Sequence, residues 1–412
     1  MKTTPLNLQK STDELKRARD LIPGGVLGIR RPYNFVEGEY PSFFDHGKGG
    51  RIVDIDGNEY IDYLCAYGPI IIGYREEEID EGVIRQIRDK GFCFSLTQVY
   101  QNQLAEKLHS LIPCAEMSVF VKTGSDATTC AIRLARGHTG RKKIIRCGYH
   151  GWHDWCVEVK GGIPEKLYED VLEFTYNDLD ELEDLMTQHG DDVAAVIMTP
   201  YGHPLAHKME DPKPGFLEGV REFTNKHGSV LIFDEVRTGF RMDLGGAQKY
   251  YGVTPDLAVF GKAMANGYAI SAVTGKREIM KAGEKEVFIS STFFPNSLGY
   301  IASLKTIEFL EREKVLESIW KKGQMYNDLV QDILKGNQFG VELSGIPPMS
   351  FITFEADPEK KYKARRNQFF THLIRKGIFQ QPYHHGYICY RHTEDDLKYT
   401  AQVIGEALDD MK

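Results

Sequence analysis

The chain carries no excess of positive charge, no long apolar run and no cysteine framework, and each absence removes a class of function. Lys and Arg number 51 against 59 Asp and Glu, a formal net charge of −8, and the pI is near 5.9. That leaves no basic footprint for a nucleic acid. No apolar stretch approaches the roughly 20 residues a membrane span requires. The opening residues, MKTTPLNLQKSTDELKR, lack the apolar core of a secretory signal. Cys65, Cys93, Cys114, Cys130, Cys147, Cys156 and Cys389 are odd in number and scattered. Such usage fits reduced thiols and predicts a cytoplasmic protein. Internal repeats and low-complexity tracts are missing too. So is G-x-G-x-x-G, the fingerprint of a nicotinamide-binding Rossmann unit.

What is present describes an ordinary globular chain of 412 residues, 42% hydrophobic and 27% charged. That length suits a large domain with a smaller one beside it. The stretch STDELKRARDLIPGG predicts a short helix, with Ser11 and Glu14 as a capping box and Pro23, Gly24 and Gly25 as its stop. GRIVDIDGNEYIDYL predicts a hairpin around Asp56-Gly57. From about residue 100, short apolar runs alternate with helical stretches: residues 118–121, 194–199, 229–234, 256–260 and 270–274. Such alternation predicts an α/β fold whose main sheet is mostly parallel and buried on both faces. The helix after 118–121 places Ala127, Cys130, Ala131, Leu134 and Ala135 on one stripe. Beyond residue 300 long amphipathic stretches take over. The expected division is an N-terminal segment over 1–57 that joins the small domain, a large domain over 58–300, and a small α+β domain over 301–412.

Ligands of such sheets sit beyond the carboxyl ends of the strands, and three local features point there. In VKTGSDATT a strand passes through Gly124 and Ser125 into a helix N-terminus, where free N–H groups favour a phosphate. Read alone, the same residues also make an ordinary capped helix start, with Ser125 or Asp126 as N-cap. In LIFDEVRTGF the most apolar run ends in Asp234 and Glu235. A carboxylate facing a pyridine nitrogen keeps it protonated, and a protonated ring is an electron sink. Lys262, in VFGKAMANGY, follows 28 residues later at another strand end. A lysine in a semi-buried cleft loses its proton and forms a Schiff base with an aldehyde, whereas most lysines simply lie at the surface. Phosphate cradle, ring-nitrogen carboxylate and Schiff-base lysine together describe a pyridoxal phosphate site. A competing pattern, Cys147, His150, His153 and Cys156 spaced three apart in CGYHGWHDWC, has the residue types of a zinc site. Gly148 and Gly151 argue against the helix that would bring them to one face, so no metal is expected.

At this point the chain resembles the class III aminotransferases of fold type I, and within them the glutamate-1-semialdehyde aminomutases. The likeness runs through LIPGGV, GGRIVDIDGNEYIDYL, GPIIIGY, TGSDATTCAIRLARGHTGRKKII, YHGWHDW, LIFDEVRTGFR, YYGVTPDLAVFGKAMANGY, STFFPNS and RHTEDDL. The resemblance implies that Gly124 and Ser125 hold the phosphate, Tyr149 stacks on the ring, Val236 packs beneath it and Asp234 meets its nitrogen. It makes Lys262 the Schiff-base lysine and proton shuttle. It also implies a homodimer in which Thr292 reaches the partner's phosphate, and His203 is a candidate contact for the ring hydroxyl.

The substrate half departs from that family. An Asn-Ser pair after PGGV is replaced by Leu27 and Gly28, while the Arg beyond it survives as Arg31. A tryptophan is Tyr67, a pocket glutamate is His384, and a Glu-Pro pair is Thr199-Pro200. Arg31, Tyr67 and His384 are the candidate substrate residues. The expected activity is amino transfer, with glutamate as donor and a polar carbonyl acceptor such as an aminoglycoside aldehyde or ketone in antibiotic biosynthesis. Alternatives are the aminomutase, a racemase or epimerase of an amino compound, and a non-catalytic pyridoxal phosphate-binding regulator.

Overall fold

The structure, a computed structural model, describes residues 3–202 and 208–412. Its strands in chain order are β1 (Phe44–Lys48), β2 (Arg51–Asp54), β3 (Glu59–Asp62), β4 (Met117–Val121), β5 (Lys143–Cys147), β6 (Val171–Glu173) and β7 (Val193–Met198). They continue as β8 (Val230–Asp234), β9 (Leu257–Phe260), β10 (Ser271–Gly275), β11 (Val341–Ile346), β12 (Met349–Phe354) and β13 (Ile378–Phe379). The chain forms two compact units. One comprises Glu77–Pro204 and Glu210–Leu316, and the other Met1–Glu76, Leu205–Met209 and Glu317–Lys412. The divisions therefore fall at 76/77 and 316/317, where the sequence reading placed 57/58 and 300/301. Two contacts account for the shift. β3 pairs with β13 through Ile61 and Ile378, which ties the chain beyond the hairpin to the C-terminal unit. Helix Ser297–Arg312 packs on helices Glu77–Asp89 and Tyr100–Leu111 of the large unit.

In the large unit a seven-stranded sheet has the order β4-β10-β9-β8-β7-β5-β6. β10 is antiparallel to both neighbours, and the other pairs are parallel. β7, β8, β9 and β10 are buried along their whole length, as a sheet covered on both faces requires. Helix Gly124–Thr139 buries the predicted stripe Ala127, Cys130, Ala131, Leu134 and Ala135. Its alanines let the helix lie close on β7, β9 and β10.

In the small unit β1, β2, β3 and β13 form one sheet and β11 pairs with β12. The predicted hairpin is β2–β3, turning at Asp56-Gly57. The first helix spans Gln9–Leu21 and starts differently from the expected Ser11–Glu14 box. Asp56, from the hairpin turn, accepts the Lys10 and Ser11 N–H groups at 2.8 and 2.9 Å. Ser11 lies inside the helix, where its hydroxyl accepts the Ser42 N–H at 2.7 Å. A carboxylate 45 residues away in sequence thus does the work of a local cap, which local spacing cannot reveal. Among the described residues, no helix is long and apolar enough to cross a membrane.

The register of β8 and β9 is pinned by Asp256, just ahead of β9. Its carboxylate accepts the Leu231 N–H at 2.8 Å and bonds to Arg221 at 2.9 Å and Lys276 at 2.7 Å. Burial pushes the carboxyl pKa up, but the Arg221 and Lys276 partners outweigh it and hold it below the usual range. A depressed carboxyl contributes stability above its unfolded pKa and loses it as pH falls through the folded value. Asp256→Asn should therefore cost about 2–4 kcal/mol at neutral pH by denaturant unfolding. The difference from wild type should shrink as pH falls below about 4; a constant difference would contradict the pairing.

Candidate active site

Strand directions bring the predicted cofactor residues to one edge of the sheet. β8 and β9 are adjacent and parallel, so Asp234, the last residue of β8, and Lys262, just past β9, emerge together. β10 opposes both β9 and β4, so β4 runs with β9 and delivers Thr123, Gly124 and Ser125 to the same edge. β5, parallel to β7, leads into Tyr149 and His150 there.

The helix start at Gly124 is capped by Thr123 rather than by Ser125 or Asp126. Thr123 Oγ1 accepts the Asp126 N–H at 3.1 Å, and the Asp126 carboxylate accepts the Thr123 N–H at 2.8 Å. This capping box uses the third N–H of the helix. The Gly124 and Ser125 amides are left without an acceptor among the described residues, the arrangement an anion requires. Two glycines here, Gly124 and Gly151, leave little room for a side chain. A Cβ on Gly124 would lie 3.2 Å from Val236 Cγ1. One on Gly151, whose φ is +126°, would lie 2.4 Å from Ser125 Oγ, which accepts the Trp152 N–H at 3.2 Å.

Asp234 is buried, and the sequence reading missed what holds it. His150 Nδ1 lies 2.8 Å from Asp234 Oδ2, and His150 Nε2 lies 3.1 Å from the Cys147 carbonyl. A carbonyl only accepts, so Nε2 carries a proton. The Nδ1···Oδ2 contact then needs a second proton, on one atom or the other. The other oxygen, Asp234 Oδ1, accepts the Val236 N–H at 3.2 Å. Glu235, its neighbour, turns inward and is fully buried. It accepts the Thr238 hydroxyl at 2.6 Å and the Ala247 and Gln248 N–H groups at 2.7 and 2.9 Å. Of the two adjacent carboxylates, Glu235 is therefore the helix cap.

Lys262 adopts a left-handed φ of 45° after the extended Gly261. Desolvation lowers its pKa well below the ordinary lysine value; Arg237 and Arg241 add to this and Asp234 opposes it. The shift favours the neutral amine, the form that acts as nucleophile and base. The two arginines were a further omission of the sequence reading, although Arg237 lies only three residues after Asp234. Tyr149 presents an exposed ring in the same field, its phenol raised by burial and touched by the charges of Arg237 and Asp234. Val236 packs partly buried against the cradle. Thr292 lies in an exposed turn lining a cavity of about 600 Å³ with Cys93, Phe94, Ser95 and Ser291. His203 lies outside the described residues.

In the other unit Tyr67 and His384 meet edge to face, their ring centroids 5.3 Å apart. Arg31 lies against its own turn, its Nε donating to the Val26 carbonyl at 3.3 Å. The cysteine–histidine quartet has other partners: His153 Nδ1 contacts Thr129 Oγ1 at 2.8 Å, and Cys156 Sγ donates to the His153 carbonyl at 3.5 Å. Among the described residues the side chains of metal-ligand type that do cluster are Cys65, Cys389 and His392. Both His392 nitrogens are used there, Nδ1 accepting the Cys389 N–H and Nε2 facing the Asp62 carbonyl, each at 3.1 Å.

An anion cradle, a buried carboxylate and a desolvated lysine at one sheet edge define a pyridoxal phosphate-dependent transferase, and comparison with known proteins agrees. Residues 34–393 match the family described as Aminotransferase class-III, and the chain belongs to that family. It is 60% identical to the 3-aminobutyryl-CoA aminotransferase of Cloacimonas acidaminovorans over 99% of this chain and 98% of that protein. It is 33% identical to the glutamate-1-semialdehyde 2,1-aminomutase of Natranaerobius thermophilus, over 95% and 96% of the two chains. The fold is similar to that of the FumI protein of Sphingopyxis sp. MTA144 in its PLP internal aldimine form. The TM-score is 0.92 at 31% identity, over 98% of this chain and 96% of that one. The protein is thus an aminotransferase with pyridoxal phosphate as cofactor.

The His150–Asp234 contact gives a test that does not depend on turnover. His150→Phe and Asp234→Asn should each lower the stability of the protein, and the double variant should lose less than the sum. The coupling should be about 1–3 kcal/mol by denaturant unfolding. Additive losses would mean that the two side chains do not interact.

Proposed function

We propose that this chain moves an amino group between the 3-position of a short β-amino acyl-CoA and a 2-oxo acid, with glutamate completing the second pair. The observation that carries this reading is the 60% identity, over nearly the full length of both chains, to a 3-aminobutyryl-CoA aminotransferase. In the balanced exchange, 3-aminobutyryl-CoA and 2-oxoglutarate become 3-oxobutyryl-CoA and glutamate.

When bound, pyridoxal phosphate supplies the electron sink for the carbon that loses its proton. The chain's own groups do the rest. Gly124 and Ser125 amides would hold the phosphate, Tyr149 and Val236 the ring faces, and Asp234 would keep the ring nitrogen protonated. Lys262 would hold the aldehyde carbon through its amine and, as a free amine, serve as the base for the proton of the amine-bearing carbon. That carbon is β to the thioester, so its C–H gains no acidity from the thioester carbonyl. The demand on Lys262 and Asp234 is correspondingly high.

The aminomutase is the weaker reading, because Leu27, Gly28 and His384 replace polar and acidic residues expected in its carboxylate pocket. Mass spectrometry of amine donors against carbonyl acceptors decides between readings, with the amino-sugar carbonyl expected above among the acceptors. Glutamate formation from 3-aminobutyryl-CoA and 2-oxoglutarate is the expected result. Efficient 5-aminolevulinate production from glutamate-1-semialdehyde would overturn it. Lys262→Ala should lose turnover by several orders of magnitude, since one change removes both attachment and base. Borohydride treatment should fix the cofactor on the peptide FGKAMANGY; label on any other lysine would refute the assignment.

Assembly is part of the proposal. If Thr292 serves the partner's phosphate in a homodimer, Thr292→Ala should weaken cofactor binding by about 1–3 kcal/mol. Inactive Lys262 and Thr292 variants should then regain activity when mixed as heterodimers. A fully active monomer by light scattering would exclude this.

A further inference from the structure

Next to Arg31 stands a second arginine for which the family pattern provides no role. The short turn Gly28–Arg30 begins at a glycine with φ +58° and lays the Arg30 guanidinium over the Tyr67 ring, 5.3 Å from its centroid. Tyr67 is itself fixed: its hydroxyl donates to the Ile29 carbonyl at 3.1 Å. Gln381 Nε2 donates to the same carbonyl at 3.2 Å and to that of Asn34 at 3.1 Å. The chain that carries Tyr67 runs left-handed through Cys65, Ala66 and Tyr67, with φ of 47°, 54° and 69°. Three successive non-glycine residues in that region are strained, and strain of this kind gathers at ligand-binding positions. The platform beneath Arg30 is therefore built, not incidental.

The charge on the platform is uncompensated. Among the described residues neither Arg30 nor Arg31 has a carboxylate partner, although the chain has a net charge of −8. Arg375, by comparison, holds Glu39 with two nitrogens at 2.6 and 2.7 Å. The neighbouring sequence positions carry exposed apolar side chains: Leu27 is 63% exposed, Ile29 49% and Tyr33 63%. An Arg30 guanidinium held on Tyr67 without a carboxylate partner, beside the exposed apolar Leu27 and Ile29, suits a phosphate attached to a larger ligand. A single amino acid carboxylate needs only one guanidinium fork.

We propose that Arg30, stacked on Tyr67, binds a phosphate of the substrate's CoA moiety and so selects CoA thioesters over smaller amines. This rests on the acyl-CoA reading above and adds the residue that enforces it. The stack pre-orients the guanidinium, so little side-chain freedom is lost on binding.

Calorimetric titration of the holoenzyme with free CoA reads the site without turnover. Arg30→Ala should weaken CoA binding about tenfold or more, as expected for losing a charge-assisted bond, and leave pantetheine binding unchanged. Arg30→Lys should fall between, and the salt dependence of CoA binding should be shallower in Arg30→Ala. In steady state, the variant's KM should rise for 3-aminobutyryl-CoA but not for its phosphate-free N-acetylcysteamine thioester or for glutamate. Unchanged CoA binding, or a KM rise for glutamate instead, would overturn the assignment. Turnover of the phosphate-free thioester by wild type tests the acyl-CoA reading separately, because it does not involve Arg30.

Discussion

The cofactor edge of the sheet depends on one buried contact, Asp234 against His150. A carboxylate at the mouth of a fully apolar strand is costly unless donors meet it. Among the described residues, His150 and the Val236 amide meet it. Both come from the chain that surrounds the site. His150 arrives from the loop after β5, and Val236 follows Asp234 directly and packs on Gly124 of the anion cradle. The contact therefore ties three strand ends together and sets the distance between carboxylate and cradle. Asp234 also raises the pKa of Lys262, against the desolvation and the arginines that lower it. The lysine is tuned by the same carboxylate that faces the cofactor's ring in the proposed arrangement.

Glu235 shows how the fold pays for a polar edge without spreading charge through it. It takes up three donors from the segment after β8, and a Cβ on Gly246, whose φ is +86°, would lie 2.5 Å from its carboxylate. The chain leaving the site is thereby anchored to Glu235, and Arg237 and Arg241, which lower the Lys262 pKa, are carried on it. Two residues with the same functional group, adjacent in sequence, divide into a structural cap and a site carboxylate because β8 ends between them and each meets different partners.

This division explains what was legible in the sequence. Apolar runs followed by Gly-Ser, Asp and Lys marked strand ends, and it was the three together, each with an ordinary use when read alone, that pointed to one ligand. The helix stripe from Ala127 to Ala135 was readable because periodicity reports burial directly. Partners set by tertiary approach were not. Asp56 caps a helix 45 residues away, and His150 meets a carboxylate 84 residues distant. His150 first stood out only as one member of a cysteine–histidine spacing. A stronger signal was available, because a buried carboxylate needs a partner and His150 follows a strand of the same sheet, two places from β8. The unit boundaries were displaced because one strand pair and one helix packing decide them, and neither changes local composition.

Backbone strain separates the two halves of the chemistry. Lys262 is left-handed at the sheet edge, and Cys65, Ala66 and Tyr67 are left-handed in the other unit; each such residue costs on the order of 1–3 kcal/mol. At Lys262 the strain is local and follows from the sheet: β9 must end, and Gly261 must be extended, for the amine to emerge at the shared edge. In the Tyr67 turn no strand dictates the conformation. It is held by Gly68, where a Cβ would lie 2.7 Å from the Tyr387 ring, and by the Tyr67 hydroxyl on Ile29. Strain imposed by the fold is the same wherever the fold occurs. Strain held by side chains can be released or redirected by a few substitutions. The positions held in the second way, around Tyr67 and Arg30, are those to which the proposed substrate preference is assigned.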